Sequence, residues 1–215
     1  APAHLSFIND VEVAVLNLAH EITQNPDAFN VFQTKSVEEI KNRILAFETI
    51  NQKADSLCDQ YFWSKNNYIH DNTLDKTHFI REIKEIFTEH DDILGHIQKI
   101  KNTPIENRKT KEKLIKELEI DGLLLSLIKL NEEFTFWQDE RKKATYWGTH
   151  YFSVLLSEIG KRNGYALDEL KYFAPCEVLH AFEDKDWKPE LNARMNGCVF
   201  HWDEEHFEVL TGTKY

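Results

Sequence analysis

The chain has 215 residues, of which 26 are Lys or Arg and 37 are Asp or Glu, so its formal net charge is −11. Its seven glycines and five prolines are about half the usual share, which argues against sandwiches and barrels, because those folds need many tight turns. Hydrophobic residues make up 41% of the chain, too many for a disordered protein, and no apolar run reaches the roughly 18 residues that predict a membrane span.

The first predicted helix covers residues 7–24. Its apolar side chains recur every three or four residues, which places them on one face of the helix. Asn9 and Glu12 stand at the spacing of an N-terminal cap pair. Pro26 follows, and it is expected to close this segment because proline disrupts a helix interior.

The next helices follow the same apolar pattern. Ser36 and Glu39 have the spacing of a capping box, and the stripe behind them predicts one helix over 36–65. Similar stripes predict helices over 74–87 and 93–104, and the second of these is expected to end at its terminal proline.

The strongest helical signal runs over residues 111–162. Gly122 and Gly148 interrupt it, and each is tolerable inside a helix at a cost of about 1 kcal/mol. A break or kink is therefore expected near one of them, if anywhere. Gly164 is a natural C-terminal stop for the helix.

The last fifty residues have a different character. Pro175 and Pro189 each stand where the first residue of a short helix would be. Two short runs with β-type composition, Cys198–Trp202 and His206–Leu210, flank the polar segment 203–205 and predict a hairpin.

The predicted fold class is mainly α. We expect an antiparallel helical bundle with one long helix over residues 1–164, followed by a small α+β end-piece over 165–215 that contains the β-hairpin. The chain starts at Ala1 without an initiator methionine and stops soon after the predicted hairpin, so it is expected to be an excised piece of a longer protein.

Net charge and cysteine usage restrict the expected partners and the cellular compartment. A net charge of −11 opposes binding to nucleic acid or to anionic membranes, so neither is an expected partner. The three cysteines, Cys58, Cys176 and Cys198, are odd in number and widely spaced, which argues against a disulfide framework and a cysteine zinc site. This usage predicts a reducing compartment, the cytoplasm.

A metal site is conceivable only at the hairpin. His201 and His206 flank three carboxylates there, and both residue types are ligands for divalent metals. On one strand, two residues five apart point to opposite faces unless the turn brings them back together. Acidic hairpin turns are usually solvated, so the sequence predicts no metal here. If a metal did bind, His201 and His206 would be its candidate ligands.

His150 follows a glycine and a threonine, a tripeptide that can mark a phosphate-carrying histidine. Such a histidine needs an exposed, flexible loop, whereas this one stands among helix-forming aromatic residues, so a place on a helix surface is predicted. No glycine-rich phosphate loop and no nucleophile elbow are present in the sequence.

A cluster of charged residues follows Trp137. On a helix, Trp137 and Arg141 share one face, and the planar fork of Arg141 suits a phosphate or a carboxylate. The alternative, which the residues alone favour, is a surface ion pair between Asp139 and Lys143 beside a tryptophan in the core.

The last third of the chain also carries an extended pattern of residues. In order, it contains Trp137, Asp139, Arg141, Lys142, Tyr151, Leu155, Leu156, Glu158, Ile159, Gly160, Arg162, Gly164, Leu170, Tyr172, Phe173, Pro175, Glu177, Val178 and Arg194. This pattern resembles a helical region of the phosphoenolpyruvate-utilising phosphotransferases, the family of pyruvate phosphate dikinase, phosphoenolpyruvate synthase and rifampin phosphotransferase. Residues 1–136 match that family only as helical sequence.

The resemblance implies a helical linker or acceptor-binding domain of a multidomain phosphotransferase that depends on ATP or phosphoenolpyruvate. In that family an ATP-grasp domain lies upstream and a swivelling phosphohistidine domain lies downstream. This chain has neither, so ATP and Mg²⁺ are implied for the missing domains, and the chain itself is expected to hold no cofactor and no catalytic residue. His150 does not replace the catalytic histidine.

The resemblance further implies partners and contact residues. The expected partners are the two neighbouring domains and a small-molecule phosphoryl acceptor. The candidate contacts with the acceptor or with a neighbouring domain are Trp137, Arg141, Lys142 and Tyr151. Trp137 would stack or pack, and Arg141 would bind an anion. Two alternatives stay open: a non-enzymatic helical interaction module, and a stand-alone domain that binds a small molecule between its helices.

Overall fold

The computed structural model describes residues 4–204 and 206–212. The chain divides into two compact units, Ala1–Thr149 and His150–Tyr215, and each is described below by itself.

The α-helices, in chain order, are α1 (Phe7–Thr23), α2 (Pro26–Thr34), α3 (Val37–Arg43), α4 (Glu48–Tyr61), α5 (Lys76–Glu89), α6 (Ile93–Glu117), α7 (Gly122–Asn163), α8 (Leu167–Leu170) and α9 (Lys188–Met195). Two 3₁₀ segments cover Ile44–Ala46 and Pro175–Phe182, and two antiparallel strands, β1 (Cys198–Trp202) and β2 (Phe207–Thr211), form the C-terminal hairpin. The predicted fold class, mainly α with one long helix and a hairpin, is confirmed.

The core of the first unit lies between α1 and the helices that contact it, α2, α4, α5 and α6. Helices α1, α4, α5 and α6 have the apolar stripes that the sequence predicted, whereas α2 was not predicted; burying the apolar side chains together removes them from water. Phe32 and Phe79 are fully buried, and Phe32 meets the ring of Phe87 edge to face at 6.0 Å.

Helix starts follow local capping chemistry. The Ser36 and Glu39 capping box is confirmed, with the Glu39 N–H donating to the Ser36 hydroxyl at 3.3 Å. The predicted cap pair at Asn9 was wrong: the cap of α1 is Ser6, whose hydroxyl accepts from the Asn9 N–H. Helix α1 ends at Thr23, before Pro26, as predicted, and Pro26 itself opens α2, because its missing N–H costs nothing at the first helical position.

The single helix predicted over 36–65 is divided in the structure. The chain leaves helical geometry at Phe47, whose φ and ψ are −111° and 74°. This bend allows both α3 and α4 to pack on α5, which buries Ile44 and Ile50 on either side of the bend. Tertiary packing therefore overrides a continuous apolar stripe.

The predicted end at Pro104 was also wrong. Helix α6 continues through this proline to Glu117, with the ring of Pro104 buried. The helical structure instead breaks after Glu117, where Glu119 and Gly122 both have a φ of 50°. The break expected near Gly122 is therefore confirmed, and helix α7 continues through Gly148 without a break.

The second unit has a small core of its own, formed by Leu170, Phe173, Ala181 and Leu191. Gly164, with a φ of 75°, lies just after the end of α7, as predicted. Part of the predicted hairpin turn, Glu205, lies outside the described residues.

Gly160 allows close backbone approach near the end of α7. A Cβ on Gly160 would lie 2.4 Å from the Tyr165 carbonyl oxygen, and the Tyr165 N–H donates to the Gly160 carbonyl at 3.0 Å. Gly160→Ala is therefore expected to destabilise the second unit by about 1–3 kcal/mol, although alanine normally favours a helix over glycine. Denaturant unfolding, with hydrogen exchange at residues 165–197 as the local readout, measures the change.

Gly164→Ala is the matched control for this substitution. Gly164 has positive φ but no atom within 4 Å of an added Cβ, so only the backbone preference, about 1 kcal/mol, is lost. If Gly160→Ala left the unit as stable as the natural chain, the close approach to Tyr165 would not constrain it.

Within the part of the chain that the structure describes, no helix has the length and apolar character needed to cross a membrane.

Candidate functional site

The first unit contains an open cavity of about 550 Å³ between the start of α1 and the helices α6 and α7. Its walls combine apolar, uncharged polar and charged side chains: His4, Leu5, Ser6, Lys111, Ile128, Asn131, Glu132, Thr135, Phe136, Gln138, Asp139 and Lys142. Ligand sites in proteins typically have volumes of about 300–1,000 Å³ and a mainly apolar lining with a few placed polar groups. The cavity has the size and lining of a small-molecule site.

Helix α7 supplies most of the lining through one face. Its lining residues recur every three or four positions from Ile128 to Lys142, which is the repeat of one side of an α-helix. The opposite wall includes the turn before α1, where His4 stacks at a tilt on Phe136 with ring centroids 4.8 Å apart.

One ion pair and one hydrogen bond to a carboxylate fix the walls. Lys111 on α6 forms an ion pair with Glu132 on α7, which ties the two helices together beside the cavity. Asp139 accepts a hydrogen bond from the backbone N–H of Phe7 at 3.0 Å. That N–H is one of the donors that the first turn of α1 leaves without a partner inside the helix, and a carboxylate is favoured at this positive end.

Lys142 is the cation that these interactions leave available. Among the residues that the structure describes, its ammonium group has no hydrogen bond or ion pair, and its side chain lines the cavity. An ammonium group with no fixed partner can bind a carboxylate, a phosphate or a hydroxyl of a ligand. The aromatic ring of Phe136 and the aliphatic Ile128 would contact an apolar part of the same molecule.

The structure separates the candidate contact residues. Of Trp137, Arg141, Lys142 and Tyr151, only Lys142 is among the cavity-lining residues. Trp137 and Arg141 lie on the far side of α7, because each helical residue turns the side-chain direction by about 100°. Trp137 is 57% exposed, and Tyr151 belongs to the second unit and is 44% exposed there.

The alternative interpretation of this segment was wrong in two respects. Asp139 does not pair with Lys143: it binds the N-terminus of α1, and Lys143 lies 3.6 Å from Glu140 instead. Trp137 is not a core residue, since it is mostly exposed, and its ring meets Phe134 edge to face at 6.4 Å. The sequence could not show this, because the start of α1 lies more than a hundred residues away.

Several cavity residues had no signal in the sequence. Leu5, Ser6 and Lys111 are common residue types, and nothing in their spacing connects them to α7. Only the α7 face had a detectable periodicity, and its polar members looked like an ordinary solvated side of a helix.

In the second unit, two residues of the extended pattern, Tyr172 and Glu177, accept hydrogen bonds from a third, Arg194. Its guanidinium donates to both carboxylate oxygens of Glu177, at 2.5 and 3.0 Å, and also to Glu190 at 3.0 Å and the Tyr172 carbonyl at 3.0 Å. The Arg194 and Glu177 side chains are 4% and 13% exposed. This bidentate, buried pair links α9 to the 3₁₀ segment and to the loop after α8.

The Glu177 carboxyl stays ionised in this setting. Burial raises its pKa, but the hydrogen bonds from Arg194 and from the Ala174 N–H at 2.9 Å outweigh burial and hold the pKa of Glu177 below its ordinary value. Glu177 thus caps the 3₁₀ segment and neutralises Arg194 at the same time. The cluster is built for structure, since its polar groups are engaged with one another.

His201 lies in β1, before the hairpin turn, and His206 lies after the turn, so the two histidines are not on a single strand. His201 pairs across the ladder with Glu208, and His206 immediately precedes β2. One ligand atom from each of His201, His206 and Glu208 lies within 4.8 Å of the others. The turn therefore brings the two imidazoles back together.

No protein-family model, curated protein or solved structure matches this chain.

Proposed function

We propose that this chain is a helical acceptor-binding and linker module of a multidomain phosphotransferase that depends on ATP or phosphoenolpyruvate, and that it is not catalytic alone. The ATP-grasp and swivelling phosphohistidine domains of the parent enzyme would supply nucleotide, Mg²⁺ and the phosphorylated histidine. The module would contribute a site for the phosphoryl acceptor and a stiff base for the swivelling domain.

The observation that carries the proposal is the set of contacts around Arg194. Residues that defined the family resemblance, among them Leu170, Phe173 and Glu177, form the core and the buried ion pair of the second unit. The part of the pattern from Leu170 to Arg194 thus packs within one unit, which supports a shared architecture over chance spacing. A unit held by a bidentate ion pair also suits a base from which a neighbouring domain moves.

The cavity of the first unit supports the acceptor-binding half of the proposal. Its apolar wall and its available Lys142 suit a small molecule with an apolar body and a carboxylate or hydroxyl group. Trp137 and Arg141, exposed on the other side of α7, would instead contact a neighbouring domain, where Arg141 would bind an anionic group. Tyr151 would contact a neighbouring domain from the second unit.

The cellular setting belongs to the same proposal. The three cysteines are unpaired thiols, which suits a reducing environment, and we place the parent enzyme in the cytoplasm.

Lys142→Met tests the cavity directly. It removes the ammonium group but keeps an unbranched side chain, so binding of an anionic ligand is expected to weaken about tenfold or more, equal to roughly 1.4 kcal/mol. Titration of the chain with 4-hydroxybenzoate and with pyruvate, followed by calorimetry or ligand-observed NMR, measures this change.

Lys143→Met is the matched control, because Lys143 is the next residue but pairs with Glu140 outside the cavity. It is expected to bind these ligands as the natural chain does. Equal loss in both variants would point to a general charge effect, and absence of binding across a wider set of hydroxyl- and carboxylate-bearing compounds would exclude the acceptor site.

The parent enzyme provides a second test. Its reading frame should encode a Gly-x-x-Ser-His segment downstream, and the isolated chain should not consume ATP or phosphoenolpyruvate. In the parent enzyme, Lys142→Met should leave phosphorylation of the swivelling histidine intact and slow transfer to the acceptor. Nucleotide turnover by the isolated chain would contradict the proposal.

A helical interaction module is the second candidate function, and one observation favours it. Leu123, Leu127, Leu130, Phe134 and Trp137 recur at alternating spacings of four and three along α7, and each is at least 50% exposed. That spacing is typical of a seam that packs against another helix. Light scattering over a range of concentrations tests it: a helix-mediated assembly should dissociate in Leu127→Glu, whereas a monomer at all concentrations would exclude self-association.

A further inference from the structure

The C-terminal hairpin sorts its side chains by chemistry onto two faces. In the antiparallel register, His201 lies opposite Glu208, and the next pair is Trp202 opposite Phe207. His206 immediately precedes β2, and one of its ligand atoms lies within 4.8 Å of those of His201 and Glu208, which places the three side chains together. The aromatic pair occupies the other face, with ring centroids 5.0 Å apart.

The turn holds this arrangement through its backbone. The Asp203 N–H donates to the His206 carbonyl at 3.0 Å, and the His206 N–H donates to the Asp203 carboxylate at 2.7 Å. These two bonds fix where His206 leaves the turn. The backbone position of His206 relative to the strands is thus set within the hairpin itself.

The separations between the ligand atoms suit a metal ion. In a tetrahedral site with bonds of about 2.0–2.1 Å, neighbouring ligand atoms lie about 3.3 Å apart. The His201 Nδ1 and the Glu208 Oε1 are already 3.5 Å apart, and all three ligand atoms lie within 4.8 Å of one another. His201 is half exposed and His206 is exposed, so a small side-chain rotation would close the remaining distance.

We propose that His201, His206 and Glu208 bind a divalent transition-metal ion, zinc in preference to magnesium or calcium, with water in the remaining coordination position. Two imidazole nitrogens and one carboxylate oxygen are a donor set that zinc accepts, whereas magnesium and calcium prefer oxygen ligands alone. Binding would join β1 to β2 through the metal and stabilise the hairpin. This site is independent of the cavity and of the phosphotransferase proposal.

Calorimetric titration of the whole chain with zinc tests the site. The protein is first treated with a chelator and its thiols are alkylated, so that cysteine cannot contribute ligands. One zinc ion per chain should bind, magnesium should not, and the amides of β2 should exchange more slowly with zinc present. Cobalt provides a second readout, because its visible spectrum reports the number and type of ligands.

His206→Ala and the nearly isosteric Glu208→Gln should each raise the zinc dissociation constant at least tenfold. His70→Ala is the control, because it removes an exposed histidine from the first unit, and it should bind zinc as the natural chain does. Zinc binding that survived both hairpin substitutions, or no binding at submillimolar zinc, would overturn the proposal. The Glu208 variant keeps side-chain size and strand pairing, so a loss there is not attributable to hairpin unfolding.

Discussion

Replacing Arg194 with alanine is expected to destabilise the second unit by about 3–5 kcal/mol, the typical cost of leaving a buried charge without its partner. The Glu177 carboxylate, which is 13% exposed in the natural chain, would lose both of its guanidinium donors. The link between α9 and the Tyr172 carbonyl would be lost with them. Denaturant unfolding, with hydrogen exchange over residues 165–197 to localise the effect, measures the loss.

Arg162→Ala is the control for this result. Arg162 forms an ion pair with Glu158 in the same unit, but its side chain is 71% exposed, so its loss should cost less than about 1 kcal/mol. Arg194→Lys keeps the charge but loses the planar fork, and it should give an intermediate loss. Equal stability of the Arg194 and Arg162 alanine variants would show that the buried cluster does not hold the unit together.

Acid should weaken the same cluster. Because the folded state holds the pKa of Glu177 below its ordinary value, the stability from its ionised form is fully present above the unfolded pKa, about 4.3. That stability is lost as the pH falls below this value and through the folded pKa. In Glu177→Gln, this part of the acid dependence of unfolding should be absent.

Phe32→Ala is expected to destabilise the first unit by about 3–5 kcal/mol. Phe32 is fully buried among the first helices, so its removal costs the transfer free energy of the ring and leaves a cavity. It also ends the edge-to-face contact with Phe87. Thermal and denaturant unfolding of the natural and variant chains measure the difference.

Phe134→Ala provides the control with the same chemical change. Phe134 is 53% exposed on α7, so its loss should change the stability by less than about 0.5 kcal/mol in the monomer. A comparable loss in both variants would mean that Phe134 is buried in solution, and this would favour the assembly of α7 with another helix.

Local chemistry explains what could be predicted of the fold. The Ser36 capping box, the helix stop near Gly164 and the hairpin strands each depend on residues within a few positions of one another. The errors at Phe47 and Pro104 arose because the predictions used only neighbouring residues. An apolar stripe does not show where two helices must bend to pack on a third, and a proline does not always end a helix.

The candidate site could be predicted only in part from the sequence. Lys142 was a candidate contact, but Ser6 and Lys111, which line the cavity with it, come from segments far away in the chain. The proposed zinc ligands show the same limit on a smaller scale. Along one strand His201 and His206 would point to opposite faces, whereas the hairpin brings their ligand atoms close together.

The sequence by itself determined the helical class, most of the amphipathic faces, the Ser36 cap and the two strands, since these follow from repeats of 3.6 and 2 residues and from short-range hydrogen bonds. Tertiary structure alone decided which charged groups are engaged. Asp139 binds the start of α1, Arg194 is buried against Glu177, and Lys142 faces a cavity. The physical reason is that burial and charge pairing depend on distances between residues far apart in the chain, which local patterns do not contain.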